Sequence, residues 1–226
     1  MSYSCIHCGS VYEERLSWCW TCMSSDTLVR LPSRPRSHLA GEPRRASARE
    51  LAAAAWTMVE SAAYPLLRIL AGALVIIYGG PGAGKSTMGM KWLNKLEGAV
   101  LYVPLEEGLG PATSERCSRL AVRRSDFHML SGGTVDDLAA EVARVKAKAL
   151  CIDSVTVSQL LPSEVRQLLE ATSLQLLIGT CQVNKAGQAA GVKGWTHEAD
   201  VVLRIEDGQY ELEKSRYQPL GLQGGI

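Results

Sequence analysis

The chain has 226 residues, 46% of them hydrophobic and 21% charged, with a formal net charge of +1. That composition excludes a disordered chain, and the length suits one full α/β domain with a small appendage. Near-neutrality excludes a global basic field, so any contact with nucleic acid has to come from local patches.

The N-terminal stretch MSYSCIHCGS lacks the charged-then-apolar pattern of a secretory signal. The longest apolar run, residues 69–78, is too short to cross a bilayer. The expected location is cytoplasmic, with no membrane partner. In such a compartment the seven cysteines argue against a disulfide framework. Cys5, Cys8, Cys19 and Cys22 form two Cys-x-x-Cys knuckles ten residues apart, the pattern of a tetrahedral Zn²⁺ site. A module of residues 1–28 cannot build a core, so bound metal would supply its folding energy. A redox dithiol pair is the weaker alternative, because there are two knuckles and no surrounding βαβ pattern. Tyr12, Trp18 and Trp20 suit a ribbon that docks protein, binds nucleic acid or is structural only. Cys117, Cys151 and Cys181 are dispersed and read as small core residues.

Residues 29–50 have linker composition, with three prolines and Arg30, Arg34, Arg36, Arg44, Arg45 and Arg49. Ser47 and Glu50 form a capping-box pattern ahead of an alanine-rich helix expected at 48–62. From residue 72 onward strands and helices alternate. Strands are expected at 73–78, 99–103, 126–130, 149–153, 174–181, 199–206 and 209–215, with helices at 85–97, 113–122, 134–147 and 163–172. The apolar strand runs predict an α/β domain over residues 51–226, its mostly parallel sheet covered on both faces. The last two strands read as a hairpin with an Asp207-Gly208 turn.

Gly79-Gly80-Pro81-Gly82-Ala83-Gly84-Lys85-Ser86-Thr87 carries a complete G-x-x-x-x-G-K-S phosphate loop between a strand and a helix. Its glycines let backbone N–H groups wrap phosphates at the positive end of the helix. Lys85 would reach the β- and γ-phosphates of ATP, and the Ser86 hydroxyl would ligate Mg²⁺. Asp153 ends an apolar strand, where a carboxylate would hold the Mg²⁺ water shell; capping the next helix is the alternative. Glu106 follows the strand 99–103 and could activate a water as general base, or belong to a solvated acidic loop.

The run VLYVPLEEG, one helix on from GGPGAGKST and downstream of four cysteines, resembles the RadA/Sms family of bacterial RecA-type ATPases. So do the Cys-x-x-Cys-Gly start, the segment from Gln182 to Gly191, and Lys214-Ser-Arg-Tyr-Gln218. The resemblance implies a RecA-like P-loop NTPase core preceded by a zinc ribbon, a DNA-dependent motor in recombination, and a homo-oligomeric ring or filament, hexameric in the family. It places Glu106 as the water-activating glutamate and Gln182 as the γ-phosphate sensor coupled to a DNA-binding loop. It makes Lys214 and Arg216 a pair that reaches a neighbouring subunit's nucleotide, as an arginine finger does.

Some features depart from that pattern. The chain is expected to lack the family's C-terminal Lon-protease-like domain, the 154–164 loop is short, and Ser215 and Gln218 replace an asparagine and a glycine. The expected DNA surface is the loop 184–195, with Lys185 and Lys193 for phosphates and Trp195 for stacking. Two functional expectations follow: an ATPase acting on single-stranded or branched DNA, and a nucleotide-switched assembly or adaptor protein whose ribbon docks a protein partner.

Overall fold

The computed structural model describes residues 3–5, 10–12, 17–19, 21–23, 25, 28–30, 57–158, 160–183 and 192–226. The chain forms two compact units, Met1–Ala54 and Ala55–Ile226.

In the first unit β1 (Tyr3–Cys5) pairs antiparallel with β2 (Val11–Tyr12) and β3 (Leu28–Arg30). The Cys5 amide donates to Ser10 O at 2.9 Å and the Met23 amide to Cys19 O at 2.7 Å. The ribbon sheet runs to Arg30, while Cys8 and the linker beyond it lie outside the described residues.

The second unit is built on an eight-stranded sheet in the order β11-β10-β9-β4-β8-β7-β5-β6. β4 (Ala73–Gly79), β5 (Val100–Pro104), β6 (Phe127–Met129), β7 (Ala149–Asp153), β8 (Leu176–Gln182) and β9 (Val201–Glu206) are parallel. β10 (Gln209–Ser215) and β11 (Gln223–Gly225) close the edge antiparallel. The helices are α1 (Lys85–Asn94), α2 (Pro111–Arg119), α3 (Val135–Val145), α4 (Pro162–Ala171) and α5 (Val192–Glu198).

Strand alternation sorts the apolar runs into two cores. Val75, Ile77, Tyr102 and Cys151 face a cluster that includes Met88, Trp92 and Leu93 of α1. Leu74, Ile76, Leu101, Val103 and Ile152 face the other, with Leu138 and Val142 of α3 and Val165 and Leu168 of α4. Of the dispersed cysteines, Cys151 and Cys181 are buried in these cores and Cys117 is partly buried against one. Burial on both faces explains why these strands read as continuous apolar runs. α3 is set by Thr134, whose hydroxyl accepts from the Asp137 amide while Asp137 accepts from the Thr134 amide.

Three elements differ from expectation. Residues 57–60 are not helical: Val59 N–H donates to Ile69 O and Ala71 N–H to Thr57 O, each at 2.8 Å, with Met58 bridged antiparallel to Leu70. Burial of Val59, Tyr64 and Leu67 against the sheet overrides the weak prior of local helix propensity; residues 48–56 of that expected helix lie outside the described residues. α5 occupies part of the expected loop 184–195, and β11 extends the sheet edge. The hairpin turn is as expected, with Asp207 and Gly208 both at positive φ, 48° and 74°. No helix among the described residues is long and apolar enough to cross a membrane.

Candidate active site

β4 delivers the phosphate loop at the C-terminal ends of the parallel strands, where open α/β sheets place ligands. Gly79 passes so close to β9 that a Cβ there would stand 2.4 Å from Ile205 O, leaving no room for a side chain. Gly84, at φ 106°, turns the chain into α1 with no side-chain cap. The first amide groups of α1 are thereby left to an anion. Lys85 is 7% exposed and its Nζ donates to Gly79 O at 3.0 Å and Gly80 O at 2.8 Å. Burial draws its ammonium below the ordinary lysine range, opposed by the fields of Glu106 and Asp153.

The loop opens on a cleft of about 1230 Å³ whose walls include Ser86, Glu106, Glu107, Arg116, Asp153 and Gln182. Asp153, 7% exposed, accepts hydrogen bonds from Tyr102 Oη of β5 and Thr180 Oγ1 of β8, one on each carboxylate oxygen. Those neutral donors fix the orientation of its carboxylate. Ser86 and Asp153, hydroxyl and carboxylate oxygens on one cleft, are the hard donors that suit Mg²⁺.

Two adjacent acids are distinguished by their partners. Glu106 accepts from Ser154 Oγ and, at 2.6 Å, from Gln182 Nε2. Glu107 is gripped by Arg116 through two bonds of 2.5 and 2.7 Å. That fork holds the Glu107 carboxyl below the usual glutamate range, a poorer proton acceptor than an unpaired glutamate. The motif-derived residues Lys85, Ser86, Glu106, Asp153 and Gln182 therefore line one cavity. Tyr102, Thr180, Ser154 and Arg116 were missed by motif reading. Thr180 did carry a signal, as a polar residue inside the buried run LLIGTCQ.

Other expected site residues stand differently. Trp195 is 6% exposed and belongs to the core cluster that includes Val165 and Leu168, so its ring is unavailable for base stacking. The short helix α5 turns it inward. Lys185 and the side chain of Lys193 lie outside the described residues. Lys214 is not a free cation at a strand tip: its Nζ donates to Thr196 O and His197 O, 2.9 and 2.8 Å away, in the last turn of α5. Partial burial and then the neighbouring Arg216 lower its ammonium from the ordinary value. Arg216 keeps 57% of its side chain exposed and lies 3.4 Å from Asp200. Asp200 also accepts from the Leu74 amide at 2.8 Å and from Arg166 at 2.9 Å, tying β4 to the end of β10.

In the ribbon, the sulfurs of Cys5, Cys19 and Cys22 all lie within 4.8 Å of one another, with Cys5 and Cys22 3.6 Å apart. Sulfurs bound tetrahedrally at Zn–S of about 2.3 Å stand roughly 3.8 Å apart, so three donors fit the ion. Tyr12 Oη sits 3.1 Å from Cys19 Sγ, a contact of the kind that orients a metal-bound thiolate.

No protein-family model matches the chain. The DNA repair protein RadA of Streptococcus pneumoniae (strain ATCC BAA-255 / R6) is 32% identical over 155 residues, covering 61% of this chain and 36% of that protein. RadA of Bacillus subtilis (strain 168) is 30% identical, covering 61% and 34%. RadA of Haemophilus influenzae (strain ATCC 51907 / DSM 11121 / KW20 / Rd) is 28% identical, covering 97% and 55%. The chain thus spans from a third to just over half the length of these relatives. A solved KaiC-like protein from Pyrococcus horikoshii OT3 superimposes with a TM-score of 0.58 at 18% identity, covering 75% of this chain and 94% of that one. With a phosphate-loop motif at the head of a parallel sheet, the chain is similar to RadA in sequence and has a RecA-like α/β fold.

Proposed function

We propose that this protein is a cytoplasmic, Mg²⁺-dependent ATP hydrolase that acts on single-stranded or branched DNA as a homo-oligomeric ring or filament, with a hexamer as the expected size. The observation that carries the reading is the single cleft on which Lys85, Ser86, Asp153 and Glu106 converge. In this reading the backbone of Gly79–Thr87 wraps the phosphates, and Lys85 exchanges its loop carbonyls for phosphate oxygens. Ser86 and Asp153 hold the Mg²⁺, which supplies charge neutralisation on the phosphates when bound. Glu106, oriented by Ser154 and Gln182, retains acceptor capacity for the attacking water. The relatives named DNA repair protein RadA support the DNA substrate, and the exposure of Arg216 supports a contact in trans. In this reading residues 1–28 act as a zinc ribbon on Cys5, Cys8, Cys19 and Cys22, followed by a basic linker over 29–50 and the ATPase domain over 51–226. Metal analysis of freshly purified protein should find one zinc per chain, and a chelator should unfold residues 1–28 alone.

A second reading, a nucleotide-switched adaptor whose ribbon docks a protein, is favoured by two observations. Trp195 is spent in the core, and Trp18 on the ribbon is 44% exposed. ATP turnover measured with and without single-stranded DNA across a salt series separates the two. Stimulation that fades as salt rises supports the DNA-dependent ATPase. Slow turnover indifferent to DNA, with ATP-dependent oligomers, supports the adaptor.

A further inference from the structure

Arg116 belongs to no motif, yet its guanidinium stands in the wall of the same cleft as Lys85 and Asp153. Only 14% of its side chain is exposed, against 34% for Glu107, and its fork onto Glu107 is bidentate. Such a fork fixes direction as well as distance, which a lysine ammonium cannot do.

The segment it grips is the turn that carries Glu106. That turn is fastened to β7 by the Leu105 amide on Asp153 O at 2.6 Å, and to its own strand by the Gly108 amide on Pro104 O at 2.8 Å. From α2, Thr113 Oγ1 donates to Gly108 O at 2.7 Å. Arg116 adds the one charged contact among these, and it falls on the residue next to Glu106.

Stability alone does not account for it. Desolvating an ion pair offsets much of the attraction gained, and apolar residues of similar size would hold a helix to a loop as well. Arg116 Nε is also buried with no hydrogen-bond partner, a cost that a purely structural contact would avoid. We propose that Arg116 is a positioning residue: acting through Glu107, it holds the 105–110 turn so that the Glu106 carboxylate faces the phosphate end of the cleft.

The inference rests on ATP hydrolysis at this cleft, and the test keeps the two separable. Arg116→Ala, Arg116→Lys, Glu107→Gln and the Arg116→Ala/Glu107→Gln double variant are compared with the wild type in the full chain. Steady-state ATP hydrolysis is measured beside binding of a fluorescent ADP analogue and amide hydrogen exchange. In Arg116→Ala, kcat should fall by about 30- to 100-fold, the scale expected when a reacting group is misplaced by about 1 Å. Affinity for the ADP analogue should stay within about twofold. Arg116→Lys should recover little, and the double variant should be no worse than either single one, because both act on one contact. Amides of residues 106–109 should exchange faster while those of β4 and α1 do not change.

Unchanged kcat in Arg116→Ala, or additive losses in the double variant, would overturn the proposal. So would loss of nucleotide affinity together with protection across the sheet, which marks a general structural role. If the wild type does not hydrolyse ATP, the hydrolase reading fails on that result. The exchange data then decide the Arg116 claim: equal exchange at 106–109 in wild type and Arg116→Ala overturns it.

Discussion

Two lysines in this molecule make the same local contact in two different settings. Lys85 Nζ donates to Gly79 O and Gly80 O, and Lys214 Nζ to Thr196 O and His197 O. Lys85 sits at the N-terminal end of α1, among carbonyls of a glycine-rich loop that faces an open cleft with two carboxylates in its field. Lys214 sits at the C-terminal end of α5, where the helix dipole favours a cation. In the proposed hydrolase the first ammonium would trade its partners for phosphate. The second already has the partners its position calls for. Two carbonyls on a lysine therefore say little about function until the surroundings of those carbonyls are known.

Lys85→Ala tests one side of the comparison most severely. Nucleotide binding and hydrolysis should both drop below detection, while the thermal midpoint is held or raised, because a buried ammonium is removed. A variant that still bound ADP tightly would move the phosphate site elsewhere. Next in size is Arg216→Ala, since the neighbour of Lys214 is the exposed member of the pair. ATP binding should survive and hydrolysis should fall by about 10²- to 10³-fold, the effect of losing one group that stabilises developing charge. Mixing Arg216→Ala with Lys85→Ala subunits should restore turnover, and failure to do so would argue against a contact in trans. Smallest is Lys214→Met, which keeps the stem and deletes two hydrogen bonds. It should cost about 1–2 kcal/mol and lower the thermal midpoint by roughly 2–8 °C, with turnover within about twofold. A large loss of turnover at unchanged stability would return Lys214 to the nucleotide site.

Much of this was legible before the fold was seen. The β4 run ALVIIYG predicts a strand buried on both faces, and Val75 and Ile76 do fall into opposite cores. The phosphate-loop motif was legible because it is nine contiguous residues with a fixed spacing. Trp195 shows the limit. Read in a run of glycines and alanines it resembles an exposed stacking platform, but seven helical residues suffice to turn it inward. Nothing in the local composition reports that direction, because the partners that bury it come from other elements.

What the sequence determined by itself is therefore whatever depends on spacing along the chain: the paired cysteine knuckles, the strand periodicity, the phosphate loop and the acids at two strand ends. The tertiary structure alone decided the state of each charged group. Glu106 faces Gln182 across 76 residues, and Asp153 is held by Tyr102 across 51 and by Thr180 across 27. Glu107, one residue from Glu106, is taken by Arg116 instead. Neighbours in sequence share a composition but not an electrostatic environment. Parallel strands and the helices between them bring distant hydroxyls, amides and guanidinium groups to the C-terminal end of one sheet, and the strength of a carboxylate as a base depends on which of them it meets.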